Sequence, residues 1–241
     1  MKALRNLIIF LALIVIAGFL IPVDLRNGYF FFYYGQIVQS TSGDTGSAAA
    51  AFKDSSAAMP SNGVFARSYA RSLNDIADGF ETGSANTEDY YSQALEFADT
   101  WLEKNEKNKD EWQLLVEKAR AEWGLGRKGA AKVSIDKAVN LRPTDYVALV
   151  YQGIIWRDMQ PNDKNAIGRC VSVFEQAISV RKETRTSWAH YELAVAYKMM
   201  NSTDRAFNEV NQGLAQWPSR DLRDKLERLK HDIESSGRSE R

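Results

Sequence analysis

Cysteine is almost absent from this chain of 241 residues. Cys170 is the only one, so no disulfide can form within it. That suits a reducing compartment, and equally a periplasmic domain that needs no staple. Histidine is as scarce, with His190 and His231 alone. One thiol and two imidazoles are too few for a dedicated zinc site. No cysteine stands near the start, which argues against a lipid-modified N-terminus. Charge of one sign is not in excess: 31 basic residues balance 31 acidic ones, so nothing points to nucleic acid. Only five prolines occur, and two of them, Pro143 and Pro218, sit where helices should end. Hydrophobic content is 44%, ordinary for a globular chain with one apolar segment to spare.

That segment is Leu7–Val23, 17 residues without a charge. The length lies at the lower edge of what spans a bilayer. The aromatic run Tyr29, Phe30, Phe31, Phe32, Tyr33 and Tyr34 follows, and such residues favour a membrane–water interface. Residues 1–39 are therefore expected to be a membrane anchor with an aromatic interfacial segment. Cleavage as a secretory signal is disfavoured, because the apolar stretch runs into Phe19-Leu20-Ile21-Pro22-Val23-Asp24 without paired small residues. Lys2 and Arg5 precede the span, while Asp24 and Arg26 cancel after it. This bias predicts a single pass through the inner membrane, with the N-terminus cytoplasmic and the rest periplasmic.

Residues 40–62 are small and polar and predict a flexible tether, with room for a short helix over Ala48–Lys53. From Val64 onward the period is helical. Val64, Phe65, Tyr69, Leu73, Ile76 and Phe80 recur every three or four residues. Gly83-Ser84 breaks this helix, and Tyr91, Ala94, Ala98, Trp101 and Leu102 mark the next. No alternating strand pattern follows the tether.

Internal self-similarity carries the fold. Gly126 is followed by Ala131, Ile135, Ala138 and Pro143; Asn201 is followed at the same offsets by Ala206, Val210, Gly213 and Pro218. Leu193-Ala194 with Tyr197, and Gly153 with Trp156, supply matching first helices, and Phe174 with Ala177 completes a middle unit. The pattern resembles the tetratricopeptide repeat, a helix-turn-helix unit of about 34 residues. The two prolines are 75 residues apart, about seven more than two units, and an insertion at Gln160-Pro161-Asn162-Asp163 accounts for most of the excess. Lys182 stands where the middle unit would have its proline. With the apolar segment read as a transmembrane helix, the resemblance implies an all-α chain: an N-terminal transmembrane helix, then an α-solenoid of repeats. It assigns residues 63–108 to a degenerate helix pair, 109–218 to three repeats, and 219–241 to a capping helix and tail. The cap carries the stripe Leu222, Leu226, Leu229 and Ile233.

Two short motifs have simpler explanations. Gly124-Leu125-Gly126-Arg127-Lys128-Gly129 matches GxGxxG, but a helix precedes it where a dinucleotide site needs a strand. Ser134-Ile135-Asp136-Lys137 matches SxxK without the partner motifs of a penicillin-binding enzyme. No constellation of nucleophile, acid, base or metal ligand stands clear of the packing pattern, so no catalytic residue, metal or cofactor is expected.

In the tetratricopeptide family, the first helices of successive repeats line a concave groove. The resemblance places Val116, Arg120 and Trp123 there from one repeat, and Val150, Ile154 and Arg157 from the next. Trp188, Tyr191, Val195 and Lys198 come from the third. The expected partner is a protein segment with apolar anchors and some acidic side chains, not nucleic acid or a small substrate. The expected function is a membrane-tethered adaptor that assembles a cell-envelope complex. The alternative is an accessory structural subunit held by its transmembrane and aromatic segment. A cytosolic domain, arranged as in import receptors of the mitochondrial outer membrane, stays open as well.

Overall fold

The computed structural model describes residues 22–182 and 185–239. Among them it forms eleven helices and no strand. They are α1 (Val23–Thr41), α2 (Thr45–Ala58), α3 (Gly63–Asp78), α4 (Ala85–Lys104) and α5 (Glu111–Gly124). Then come α6 (Lys128–Leu141), α7 (Tyr146–Met159), α8 (Lys164–Val180), α9 (Ser187–Met199), α10 (Thr203–Ala215) and α11 (Arg220–Ser239). The chain divides into two compact units between Glu117 and Lys118, within α5.

In the first unit α1 packs through small residues spaced two turns apart. A Cβ at Gly28 would meet Met59 at 2.9 Å, and one at Gly35 would meet the Phe52 ring at 2.8 Å. Between these glycines Phe32 stacks on Phe65 at 4.7 Å, and Tyr29 meets the edge of the same ring at 5.2 Å. Part of the aromatic run is thus packing material, while Tyr29, despite its ring contact, and Phe30, Tyr33 and Tyr34 remain exposed. The segment expected as a tether contains a full helix. Asp44 accepts from the Ser47 amide at 3.0 Å and starts α2, and Ala48, Ala49, Ala51 and Phe52 are buried. Alanine has the strongest helix preference and lets a neighbouring helix approach closely, so a stretch with little apolar bulk still packs. Asn62 caps α3 by accepting from the Val64 and Phe65 amides. Ala66, Ala70, Ala98, Trp101 and Leu114 form the core that joins α3 to α4 and α5.

The expected single-pass placement in the inner membrane needs correction. Among the described residues no helix is long and apolar enough to cross a membrane. Helix α1, where the aromatic run sits, carries Asp24, Arg26, Asn27, Gln36 and Gln39 through its length, so it lacks the uniform apolar surface that lipid requires. The expected span Leu7–Val23 lies outside the described residues except for its last two.

In the second unit the proposed repeat register has a backbone counterpart. Gly126 and Asn201, equivalent by sequence offset, both adopt positive φ, at 72° and 60°. Each turn also closes with a bond six residues wide: the Arg127 amide donates to the Glu122 carbonyl, and the Ser202 amide to that of Tyr197. This is the Schellman ending of a helix, whose left-handed residue is glycine or asparagine for steric reasons. The turn containing Gln160-Pro161-Asn162-Asp163 has no such residue, and Asp163 instead caps α8 through the Asn165 amide. Its φ-restricted proline and longer path replace the tight ending found at the other two turns. The core runs from Leu149 and Val150 through Ile167, Phe174 and Leu193 to Val210, Leu226 and Ile233. Leu226 and Ile233 of the last helix are buried, and Leu222 and Leu229 lean on the same core.

Cys170 is fully buried here, and its thiol donates to the Ala166 carbonyl at 3.3 Å. Burial pushes the thiol up to about 11. A disulfide reagent at pH 8 is expected to react about 100-fold more slowly with Cys170 than with free cysteine, because so little thiolate forms. Unfolding in urea should restore the free rate; a native rate equal to the unfolded one would contradict this burial.

Candidate protein-binding face

Helices α5, α7 and α9 are the first helices of three successive pairs, and the expected groove residues lie on them. Helix α7 starts where Asp145 accepts from the Ala148 amide at 2.8 Å. Helix α9 has no such local cap. Thr186 makes no side-chain cap bond, and the Ala189 amide donates to the Tyr146 hydroxyl of α7 at 3.1 Å. Burial raises the Tyr146 phenol above its usual range, so this oxygen stays a neutral phenol. The Arg181 guanidinium lies 3.9 Å from the centre of the same ring.

The expected groove residues separate into two groups. Val116, Val150 and Ile154 are buried, with 1%, 0% and 5% exposure. They belong to the interior, which corrects their assignment to a contact surface: their face of the helix meets the neighbouring helices. Val116 lies in the first unit and the other two in the second. Trp123, Arg157, Trp188, Tyr191, Val195 and Lys198 are half-buried and reach the surface. Arg120 joins the buried group at 6% exposure, with its guanidinium 5.8 Å from the Tyr151 ring centre.

The row of cations expected from Arg120, Arg157 and Lys198 is largely neutralised from within. Arg157 Nη1 donates to Glu192 at 2.6 Å, and its Nε donates to Asp158 at 3.2 Å. Burial works against the Arg157 charge, and the Glu192 and Asp158 carboxylates outweigh it, so the guanidinium pKa is raised. Lys198 pairs with Asp232 of α11. The indoles join the network: Trp188 donates to Glu192 and Trp123 to Asp158, each at 3.2 Å. Lys128 adds a bond to the Asp158 carbonyl at 2.8 Å.

An aromatic surface remains at the edge of this network. Trp188 meets Tyr151 edge-on at 5.1 Å, and Trp123, Tyr151 and Tyr191 all pack on the core with part of their surface open. Burial raises the Tyr191 phenol, Glu192 adds to the shift, and Lys225, Arg157 and Arg228 oppose it. Cations of α11 therefore stand within electrostatic reach of Tyr191. Sequence reasoning missed Tyr151, Glu192 and Asp158, which organise this face. A tyrosine five residues before a repeat tryptophan, and acids on facing helices, carry no periodic signal that would single them out. Among the described residues no group of three or more histidine, cysteine or acidic side chains could hold a metal ion.

No family model matches the chain, and no curated protein matches it in sequence. Solved structures do. A thermophilic TPR protein of Thermus thermophilus aligns with a TM-score of 0.64 at 17% identity, over 84% of this chain and 98% of that one. Residues 41 to the end of MamA from Desulfovibrio magneticus align at 0.53 and 12% identity, over 81% and 98%. Yeast Tom70 aligns at 0.57 and 15% identity over 90% of this chain, which spans only 41% of Tom70. At such identities the likeness shows the fold: an all-α array of the tetratricopeptide type, as the repeat pattern implies.

Proposed function

We propose that the chain is a protein-binding adaptor, and that the aromatic face of α7 and α9, with Trp123 of α5, is where the partner docks. The observation that carries this reading is the cluster Trp123, Tyr151, Trp188 and Tyr191, half-buried on the core with its neighbouring charges already paired. Partly open aromatic surface beside arginine is the composition of binding hot spots. Since Glu192 and Asp232 engage Arg157 and Lys198, apolar anchors of the partner contribute more to affinity here than acidic side chains. The solved neighbours include proteins named as TPR proteins, a fold shared by many scaffolds, which supports the adaptor class and says nothing of the particular partner.

Co-purification tests this reading. The native chain is compared with a Tyr151→Ala/Tyr191→Ala variant whose helicity and unfolding midpoint confirm a folded array. A defined partner should accompany the native chain and be reduced at least about tenfold with the variant, the scale of losing two hot-spot rings. Undiminished recovery of the partner on the folded variant would sink the proposal.

A second reading, a structural subunit attached through α1, is favoured by one observation. Val23, Phe30, Tyr33, Tyr34 and Ile37 are 57%, 63%, 57%, 50% and 58% exposed on that helix. Under it, Phe30→Ser/Tyr34→Ser releases the partner and the Tyr151→Ala/Tyr191→Ala variant keeps it.

A further inference from the structure

The first unit contains an open cleft of about 720 Å³, and none of its lining residues belongs to α7 or α9. Its size falls in the range of pockets that hold an organic ligand or a short anchor segment, roughly 300–1,000 Å³. It exists because α2 and α4 both pack on α3 and leave a gap between them. Tyr69 of α3 and Phe97 of α4 meet edge-on in it at 4.8 Å. Trp101 also lines it, with its indole N–H already donated to the Pro60 carbonyl at 2.8 Å, so this ring offers only apolar surface.

Some polar groups of the cleft are engaged, Gln93 with Asp89 and Asn105 with the Trp101 carbonyl, while others are free. Lys53 on the α2 wall and Lys104 on the α4 wall are exposed, and neither has an ion-pair partner among the described residues. This contrasts with the second unit, where Arg157 and Lys198 are paired. One carboxylate, Glu96, shares the cleft, so two cations face one anion. The hydroxyls of Tyr69 and Ser56 also line it without a hydrogen-bond partner among the described residues. Burial raises the Tyr69 phenol, which keeps that hydroxyl a donor.

We infer that this cleft is a second docking site, independent of the aromatic face, for a protein segment with an apolar side chain flanked by acidic residues. The apolar side chain seats between the Tyr69, Phe97 and Trp101 rings, and the flanking carboxylates meet Lys53 and Lys104. Free hydroxyls at Tyr69 and Ser56 supply donors for the carbonyls of an extended segment. The open shape of the cleft suits a chain that passes through, and the two lysines of its lining, one on each wall, set the sign of the flanking residues.

A phage-displayed library of random twelve-residue peptides, panned on the full chain, tests this. Enriched peptides should carry an aromatic or large aliphatic residue with aspartate or glutamate nearby. Synthetic copies should bind at least about tenfold more weakly to a Lys53→Glu/Lys104→Glu variant, with affinity falling as salt rises. Both lysines are exposed, so this variant leaves the core intact; Phe97→Ala is the second arm and should weaken binding with little change in salt dependence. The same peptides should bind the Tyr151→Ala/Tyr191→Ala variant normally, which separates this site from the adaptor face. No enrichment, enrichment without acidic residues, or full binding to the charge-reversed variant would each overturn the inference. So would tight binding of decanoate to the cleft with no peptide selected, an outcome that assigns it to small amphiphiles.

Discussion

Replacing Glu192 with leucine is expected to destabilise the second unit by about 3–5 kcal/mol, the cost of leaving a buried charge without its partner. The side chains of Glu192 and Arg157 are only 9% and 11% exposed, so water cannot substitute for the lost carboxylate. Trp188 loses its acceptor at the same time. Asp158 still touches Arg157 but must also serve Trp123, and its own side chain is 28% exposed. The double variant Arg157→Met/Glu192→Leu should recover most of the loss, because removing both charges removes the desolvation cost along with the attraction. Urea unfolding followed by tryptophan fluorescence reads both variants. A single variant within about 1 kcal/mol of the native chain would mean that the pair is exposed to water in solution.

The second large effect concerns Gly153 of α7 and Phe174 of α8. A Cβ at Gly153 would come within 2.8 Å of Phe174 Cδ1 and closer still to the other ring atoms on that edge. Phe174 has no exposed surface, so it cannot swing out into solvent. Gly153→Ala should therefore cost about 1–3 kcal/mol through overpacking, even though alanine favours a helix more than glycine does. Phe174→Ala should cost about 3–5 kcal/mol through the cavity it leaves. Together the two should cost less than their sum, since the added methyl enters the vacated space. The four proteins of this cycle, compared by urea midpoint, give the coupling directly. Strict additivity would show that helix and ring are not in contact.

These two sites illustrate what is legible in the sequence. Gly153 is recognisable as a repeat position because a close helix crossing requires a small residue at a fixed offset, and Phe174 because a large one must fill the opposite side. The equivalence of Gly126 and Asn201 is readable for a similar reason: the left-handed turn admits few residue types, so the backbone constraint leaves a mark. The charge network leaves none. Glu192 is one acid among 31 acidic residues, and nothing in its neighbours shows that its helix will bring it to Arg157. Helical period assigns Val150 and Ile154 to a face without saying whether another helix covers it. Helix α2 is hidden by its composition, since alanine packing buries little area per residue and reads as a polar linker. The apolar stretch Leu7–Val23 and the aromatic run after it carry the membrane expectation, and the described helices offer it no support.

The bond from the Ala189 amide to the Tyr146 hydroxyl has a consequence for how the array assembles. The start of one repeat is completed by a side chain belonging to the previous repeat, so the later helix gains its full stability only once the earlier one is in place. Neighbouring units in such a chain act like coupled spins, and this contact gives the coupling a direction. Fraying should advance from the C-terminal end and pause at α9, where the amide is held from behind. A Tyr146→Phe chain, which keeps the ring and loses the oxygen, should let that front pass further upstream before it stops.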